Sequence, residues 1–364
     1  MGKQTALTLL FLYHKKDGET MPVMYQKEGK FLQERDIDIL KGLYQHRALT
    51  TSQIREKYDT KQWYTYKKLK TLENARLIIK ERISGYTNTR RNQGNYYRIS
   101  ETGIACLRKQ GYPVERKAYD LRVSKLHLPF LLSANEIMIH LERYGWQFKD
   151  SRYIKGSHNL NRSSNVQGAL ISPHHDMYVI YTVLHEISDK NLEKIAREIE
   201  DHDFDNYILF AKSSSSFTEI VERYSSQKTV INCSSLKIFP YSYGKKYLSK
   251  YPNEESIKQF LETHPEHNLT FKTHFKSSKK QDGLNVVVQQ NGGEEKYYVN
   301  LLDTDLMKVY NMLQYRKEEY EREGRKLLVI TNPQLYPIHK HILRNIQHID
   351  FLVINTNELI AEQN

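Results

Sequence analysis

Hydrophobic positions recur along this chain with two periods, and the alternation between them predicts an order of elements. Residues 5 to 13 and 20 to 26 are apolar runs on either side of Lys15-Lys16-Asp17-Gly18. An Asp-Gly pair between two such runs predicts a β-hairpin over residues 1 to 30. From Gln33 to His46, Ile37, Ile39, Leu40, Leu43 and Tyr44 follow the helical repeat of one buried face. Thr50 is placed to cap a short helix, with Gln53 three residues on to bond back to it. Another helix is predicted after Thr60, with Trp63, Tyr66, Leu69 and Leu72 on its buried side and Gln62, Tyr64, Thr65, Lys67, Lys68 and Lys70 on its outer face. Leu77 to Ser84 and Asn95 to Ile99 predict two strands around a polar, glycine-bounded loop that carries Arg90 and Arg91. Ser100 then caps a helix over Glu101 to Gln110, which Gly111 and Pro113 end. Helices followed by a basic hairpin in this order predict a winged helix-turn-helix over residues 31 to 118.

Beyond it, the charged run Lys117 to Arg122 predicts a linker, and Leu126-His127-Leu128 and then Asn135 to Trp146 an amphipathic helix ending at Gly145. One pattern then occurs twice. Ala169 to Ser172 and Tyr178 to Val183 predict paired strands, followed by a helix over Ser188 to Glu200 and strands at Tyr207 to Ala211 and Leu236 to Phe239. Leu284 to Val288, Tyr297 to Leu302, a helix over Asp305 to Glu321 and strands at Lys326 to Thr331 and Asp350 to Ile354 repeat that order. Two α/β units follow, over residues 119 to 245 and 246 to 364. Lys245 to Lys280 predicts a helix plus linker, and Ser213 to Ser216 a plain loop.

Charge changes the meaning of the first module. The chain carries 55 Lys and Arg against 43 Asp and Glu, a net +12. Residues 1 to 118 hold 24 basic against 12 acidic residues, so the whole excess lies there and the rest is balanced. Such a concentration points to a polyanion, here double-stranded DNA. In helix-turn-helix geometry the early residues of the second helix meet base edges and later lysines meet phosphates. Gln62, Tyr64 and Thr65 are the candidates for readout, Lys67, Lys68 and Lys70 for the backbone, and Arg90 and Arg91 for the minor groove or a phosphate. The two cysteines, Cys106 and Cys233, have no metal-ligand spacing and suit a reducing cytoplasm. The run Ala6 to Tyr13 is too short to span a membrane. His174-His175-Asp176 and His202 lack partner spacing, and His339-Lys340-His341 has the wrong middle residue for a His-hydrophobe-His metal cluster, so no metal ligands are assigned. No Gly-rich phosphate loop with its Lys is present, and the abundant tyrosines suit strand packing rather than catalysis.

Several stretches, among them Arg47-Ala48-Leu49-Thr50-Thr51-Ser52-Gln53-Ile54, Leu69-Lys70-Thr71-Leu72-Glu73-Asn74-Ala75-Arg76-Leu77-Ile78 and Tyr96-Tyr97-Arg98-Ile99-Ser100-Glu101-Thr102-Gly103, resemble the replication-relaxation family of plasmid and conjugative-element proteins, to which the MobC-type relaxases are related. The resemblance implies an α+β protein: an N-terminal winged helix-turn-helix followed by two α/β restriction-endonuclease-like units. The nuclease-like site of such proteins has an Asp-Gly pair and a Glu in the following strand. The first unit has Gln167-Gly168 and Tyr181 instead and is degenerate. The second keeps Asp282-Gly283 but has Asn300 in place of the Glu, with Asp303, Asp305 and Lys308 just beyond. The expected function is recognition of an origin of transfer or replication, as a homodimer working with plasmid replication or transfer proteins. Two alternatives stand: an active nicking enzyme using Asp282, Asp303 and Lys308 with a divalent metal, Mg2+ or Mn2+, and a transcription regulator.

Overall fold

The computed structural model describes residues 15–16, 19–20, 26–27, 30–83, 94–184, 188–226, 233–264, 266–272, 284 and 286–360. The chain divides into two compact units, residues 1–139 and 140–364. Lys15 pairs with Thr20 and Lys16 with Glu19, so that these two lysines, expected in the turn, are themselves paired strand residues, while the apolar run 5 to 13 lies outside the described residues. A second two-residue pairing joins Gln26–Lys27 to Lys30–Phe31.

The first unit continues through α1 (Glu34–His46), β1 (Leu49–Thr50), α2 (Thr51–Lys57), α3 (Gln62–Asn74), β2 (Ile78–Arg82), β3 (Asn95–Ile99) and α4 (Glu101–Lys109). The strands form one antiparallel sheet in the order β1-β3-β2. Leu40, Leu43, Leu49, Ile54, Leu69, Leu72, Leu77 and Leu107 are all buried in one core. Each contributes about 1.5–3 kcal/mol of apolar burial. The caps form as the sequence predicts. Gln53 N donates to Thr50 Oγ1 at 3.2 Å and Thr50 N to Gln53 Oε1 at 2.9 Å, closing a capping box on α2. Ser100 Oγ accepts from Gly103 N at 3.0 Å at the start of α4. Gly103 is required there, because a Cβ would stand 2.3 Å from the Leu77 carbonyl.

The segment Lys117 to Arg122 is not a linker. Ala118 and Leu121 are buried in the same core, and Arg47 Nη2 donates to the Arg122 carbonyl at 3.1 Å. Two apolar anchors among charged neighbours were enough to fix it. The next helix, α5 (Leu128–Glu142), runs unbroken from the Leu126-His127-Leu128 end of its pattern and stops before Gly145. Asn135 Nδ2 bonds the carbonyls of His46 and Ala48 at 3.0 and 2.7 Å, and the Leu132 carbonyl accepts from Gln53 at 2.6 Å.

The second unit contains two five-stranded sheets with one topology. The first is formed by β4 (Gln147–Asp150), β5 (Gly168–Ile171), β6 (Met177–Val183), β7 (Asn206–Ala211) and β8 (Ser235–Pro240), with the short helix α6 (Ser151–Ser157) between β4 and β5. The second is formed by β9 (Leu269–Lys272), β10 (Val287–Gln290), β11 (Glu295–Asn300), β12 (Leu327–Thr331) and β13 (Ile349–Val353). In each, the strands lie side by side in sequence order. The first three are antiparallel and the last two are added in parallel. Helices make the parallel crossovers, as parallel pairing demands: α7 (Asp189–Asp201) and α8 (Ser214–Ser226) in the first sheet, α11 (Leu306–Gln314), α12 (Lys317–Glu323) and α13 (Tyr336–Ile342) in the second. Ser213 to Ser216 thus opens a helix rather than forming a loop, with Ser213 Oγ accepting from Ser216 N at 3.1 Å.

The repeat is longer than its sequence pattern suggests, since β4 and β9 precede the predicted strands. Leu269–Lys272 lies in the stretch expected to be linker. Before it come α9 (Tyr241–Lys250) and α10 (Glu254–Thr263), and the described chain ends with α14 (Thr356–Ile360). Register also corrects an equivalence. Ile171 pairs with Met177, and Gln289 with Glu295, each across a five-residue turn, so Asn300 corresponds to Thr182 and Tyr181 to Val299. A one-residue step moves a side chain to the other face of a sheet.

Candidate functional site

Helix α3 presents a different face from the one its spacing suggested. Trp63 and Tyr66 are 64% and 51% exposed, whereas Thr65, Leu69 and Leu72 are buried. At about 100° per residue, successive steps of three drift round the helix, so Trp63 stands opposite Leu72. Thr65, Leu69 and Leu72 instead lie on a single stripe. The exposed stripe runs through Trp63, Tyr66, Lys67 and Lys70, with Gln62 at its start.

This places the candidate readout residues on two sides. Gln62 is exposed, and Tyr64 is half-buried, with its ring edge-on to Trp63 and below the Lys68 ammonium. Thr65 is interior: its hydroxyl lies 2.7 Å from that of Thr60 and 3.1 Å from the Lys61 carbonyl, so it holds the start of the helix rather than facing outward. Lys67 and Lys70 are exposed, Lys70 with a loose contact to Glu73 at 3.6 Å. Lys68 is engaged internally, 3.0 Å from the Asp36 carboxylate and 2.6 Å from Gln33 Oε1. Because the Asp36 side chain is only 3% exposed, Lys68→Ala leaves a buried carboxylate without its cation. The expected result is a loss on the order of 2 kcal/mol in urea unfolding with no change in the salt dependence of DNA binding; a changed salt slope at wild-type stability would return Lys68 to the outer face. Arg90 and Arg91 lie outside the described residues.

In the second unit, two of the candidate catalytic residues, Asp303 and Lys308, meet in an interior charge cluster. Asp303 is 1% exposed, and its Oδ2 lies 3.2 Å from Lys237 Nζ on β8 and 3.6 Å from Lys308 Nζ on α11. Lys308 also donates to Glu254 Oε2 at 2.8 Å and to the Asn300 carbonyl at 3.1 Å. Asn300 Nδ2 reaches the Tyr247 hydroxyl at 3.2 Å and Glu254 Oε2 at 3.3 Å, and the Tyr298 hydroxyl donates to Glu254 Oε1 at 3.0 Å. Burial alone would raise the Asp303 pKa, but Lys308 and Lys237 overcome it and hold the carboxyl below its ordinary range. Asp305 shifts the other way, raised by burial and by Asp303 beside it. Against burial, Asp303 and Glu254 raise the Lys308 pKa.

Asp305 does something the sequence foretold only in part. It caps α11, accepting from Met307 N at 3.0 Å. The same carboxylate accepts from Leu236 N at 3.1 Å and from the Ser235 hydroxyl at 2.6 Å. Ile238 N donates to the Asp303 carbonyl at 3.2 Å, and Lys237 and Asp305 form an isolated β-bridge. Strand β8 ends the first sheet, so the 303–305 turn covers an open strand edge. Thr304, between the two aspartates, is buried with φ 43°, an unfavourable conformation for a β-branched residue. Its hydroxyl lies 3.1 Å from His339 Nε2, and Thr331 Oγ1 lies 2.8 Å from His339 Nδ1. His339 is 0% exposed, and burial lowers its pKa to about 3, so it is neutral at ordinary pH. Nothing in the His-Lys-His run itself marks His339 as its interior member.

The cluster therefore spends its carboxylates on internal cations and backbone amides. Asp282 lies outside the described residues. His174, His175 and Asp176 occupy the exposed β5–β6 turn, with His175 at φ 71°. Among the described residues no helix is long and apolar enough to cross a membrane.

Residues 40–169 match the family model described as replication-relaxation, which covers most of the first unit and the opening of the first five-stranded sheet. This match supports the family over that stretch. No curated protein sequence and no solved structure matches the chain.

Proposed function

We propose that this is a DNA-binding protein of a plasmid or conjugative element, which recognises an origin of replication or transfer through a winged helix whose second helix is α3. The observation that carries this is the exposed stripe of α3, where Gln62, Trp63 and Tyr66 stand with Lys67 and Lys70 in the region that holds the whole net positive charge. A helix in the major groove needs such a mixture: lysines for phosphates, an amide for base edges, and apolar rings for thymine methyls. The replication-relaxation match over residues 40–169 supports the link to plasmid or conjugative replication. The two repeated sheets serve as relaxase- or endonuclease-like bodies that no longer cut, a reading supported by the burial of Asp303 between two lysines.

Binding of labelled duplexes carrying origin or promoter sequences from the encoding element, measured by anisotropy over a range of salt, tests the proposal. Tight binding is expected on origin fragments, with log K falling linearly against log salt. Lys67→Ala with Lys70→Ala should make that slope shallower by about 1.8, near 0.9 per lost phosphate contact. Gln62→Ala or Trp63→Ala should change the preferred sequence. No duplex binding, or an unchanged slope, would overturn the assigned face; preference for promoters would favour a transcription regulator. Supercoiled plasmid should stay intact with Mg2+ or Mn2+, and nicking abolished by Asp282→Ala would establish the active-enzyme alternative.

A further inference from the structure

Away from α3 and from the charge cluster, Glu266, His267 and Glu358 bring three metal-competent side chains together, with one ligand atom of each within 4.8 Å of the others. Acidic side chains at a surface often gather without any ion. The histidine separates this group from such clusters. His267 is 93% buried by its 7% exposure, and its Nε2 has no hydrogen-bond partner. A buried ring nitrogen without a partner carries a desolvation cost that proteins rarely leave standing. Nε2 points at Glu358 Oε2 from 3.9 Å, too far for a hydrogen bond.

From these distances we propose that Glu266, His267 and Glu358 bind a zinc ion that fastens the last described helix, α14, to the turn between α10 and β9. Around a tetrahedral zinc with bonds of about 2.0–2.1 Å, two ligand atoms stand about 3.4 Å apart, so the 3.9 Å between His267 Nε2 and Glu358 Oε2 closes by about 0.5 Å to share an ion. The ligand atoms of all three lie within 4.8 Å of one another, so no pair closes by more than about 1.4 Å, a movement within reach of the exposed Glu266 and Glu358 side chains. The scaffold on the other two sides is already set. The His267 ring lies 6.2 Å from Phe260 and from the nearly parallel His264 ring, and its backbone N–H donates to the His264 carbonyl at 3.0 Å. Glu358 precedes the buried Leu359, whose carbonyl accepts from Tyr251 at 3.2 Å.

The donor set selects the ion. A buried imidazole with two carboxylates suits zinc and its late first-row neighbours, whereas Mg2+ and Ca2+ prefer all-oxygen shells. Three protein ligands leave the fourth position to water, and the ion would neutralise two carboxylates while giving Nε2 its missing partner. Within the sequence His264-Pro265-Glu266-His267 only a suggestive spacing is visible; Glu358 is about ninety residues away and is joined to it by the fold alone.

Full-length protein stripped with chelator, mixed with Zn2+ and passed through gel filtration, should retain about one zinc per chain by elemental analysis, and its thermal midpoint should rise with Zn2+ but not with Mg2+. Glu358→Gln and Glu266→Gln should each weaken zinc binding at least about tenfold and abolish the thermal shift. His267→Asn should do the same; if that buried substitution prevents folding, the two glutamine variants decide the matter. Retention well below one zinc by wild type, or equal retention and an equal shift in wild type and Glu358→Gln, would overturn the site.

Discussion

Replacing Asp303 by alanine should destabilise the second unit by about 3–5 kcal/mol, the cost of leaving a buried ion pair half-made. Lys237, with a side chain 14% exposed, would lose its carboxylate partner, while Lys308 would keep only Glu254. Chemical denaturation followed by far-UV circular dichroism measures the loss. The double variant Asp303→Ala with Lys237→Met should recover part of it, because a paired apolar replacement removes the unpaired charge together with its cause. A cluster kept for catalysis would behave in the opposite way: Asp303→Ala would leave stability within about 0.5 kcal/mol of wild type and remove an activity on DNA. Either outcome is read directly, and the second would restore Asp303 and Lys308 to the role their sequence positions first suggested.

Acid should weaken the same region above the pH at which Asp303 titrates. His339 has an ordinary pKa of 6.5, lowered to about 3 in the fold because burial disfavours the charged ring. The folded state therefore binds fewer protons than the unfolded chain between these values, and stability falls as pH drops through that window. The contribution is complete above pH 6.5 and decreases by about 1.4 kcal/mol per pH unit below it. Asp303 does not confuse the test above pH 4, since its lowered pKa delays its own loss to values below the ordinary 3.8. Unfolding free energies at pH 7, 6, 5 and 4 for wild type and His339→Gln should give curves that converge as pH falls. Parallel curves would mean that the ring is not held neutral between Thr304 and Thr331.

Much of this architecture is legible in the sequence because its signals are local. Thr50 with Gln53 and Ser100 before α4 each depend on residues three apart, and each forms as its spacing predicts. The duplicated strand and helix pattern is legible for the same reason, since β6, β7 and β12 are short, almost wholly buried apolar runs. Failures occurred where a partner far along the chain decides. Leu121 looked like part of a charged linker until the core of the first unit supplied its neighbours. Trp63 looks buried because a three-residue spacing imitates an amphipathic stripe from one residue to the next, yet it drifts by about 60° at each step and reaches the opposite side by Leu72. The candidate site divides along the same line. That α3 is a basic helix is evident from sequence, but that Lys68 turns inward depends on Asp36, on another helix. Asp303 and Lys308 stand close enough in sequence to resemble a nuclease site, and only Lys237, some sixty-five residues earlier, explains where the carboxylate goes.

The bridge between Lys237 and Asp305 bears on how the chain tolerates being divided. Two sheets of one topology invite a cut in the α9–α10 connection, as though each were an independent copy. Such a cut would strip β8 of the turn that occupies its outer edge and leave the 303–305 turn with nothing to seal. The first fragment would then carry a bare strand ready to recruit a foreign one. In the intact chain the second copy guards the first against aggregation.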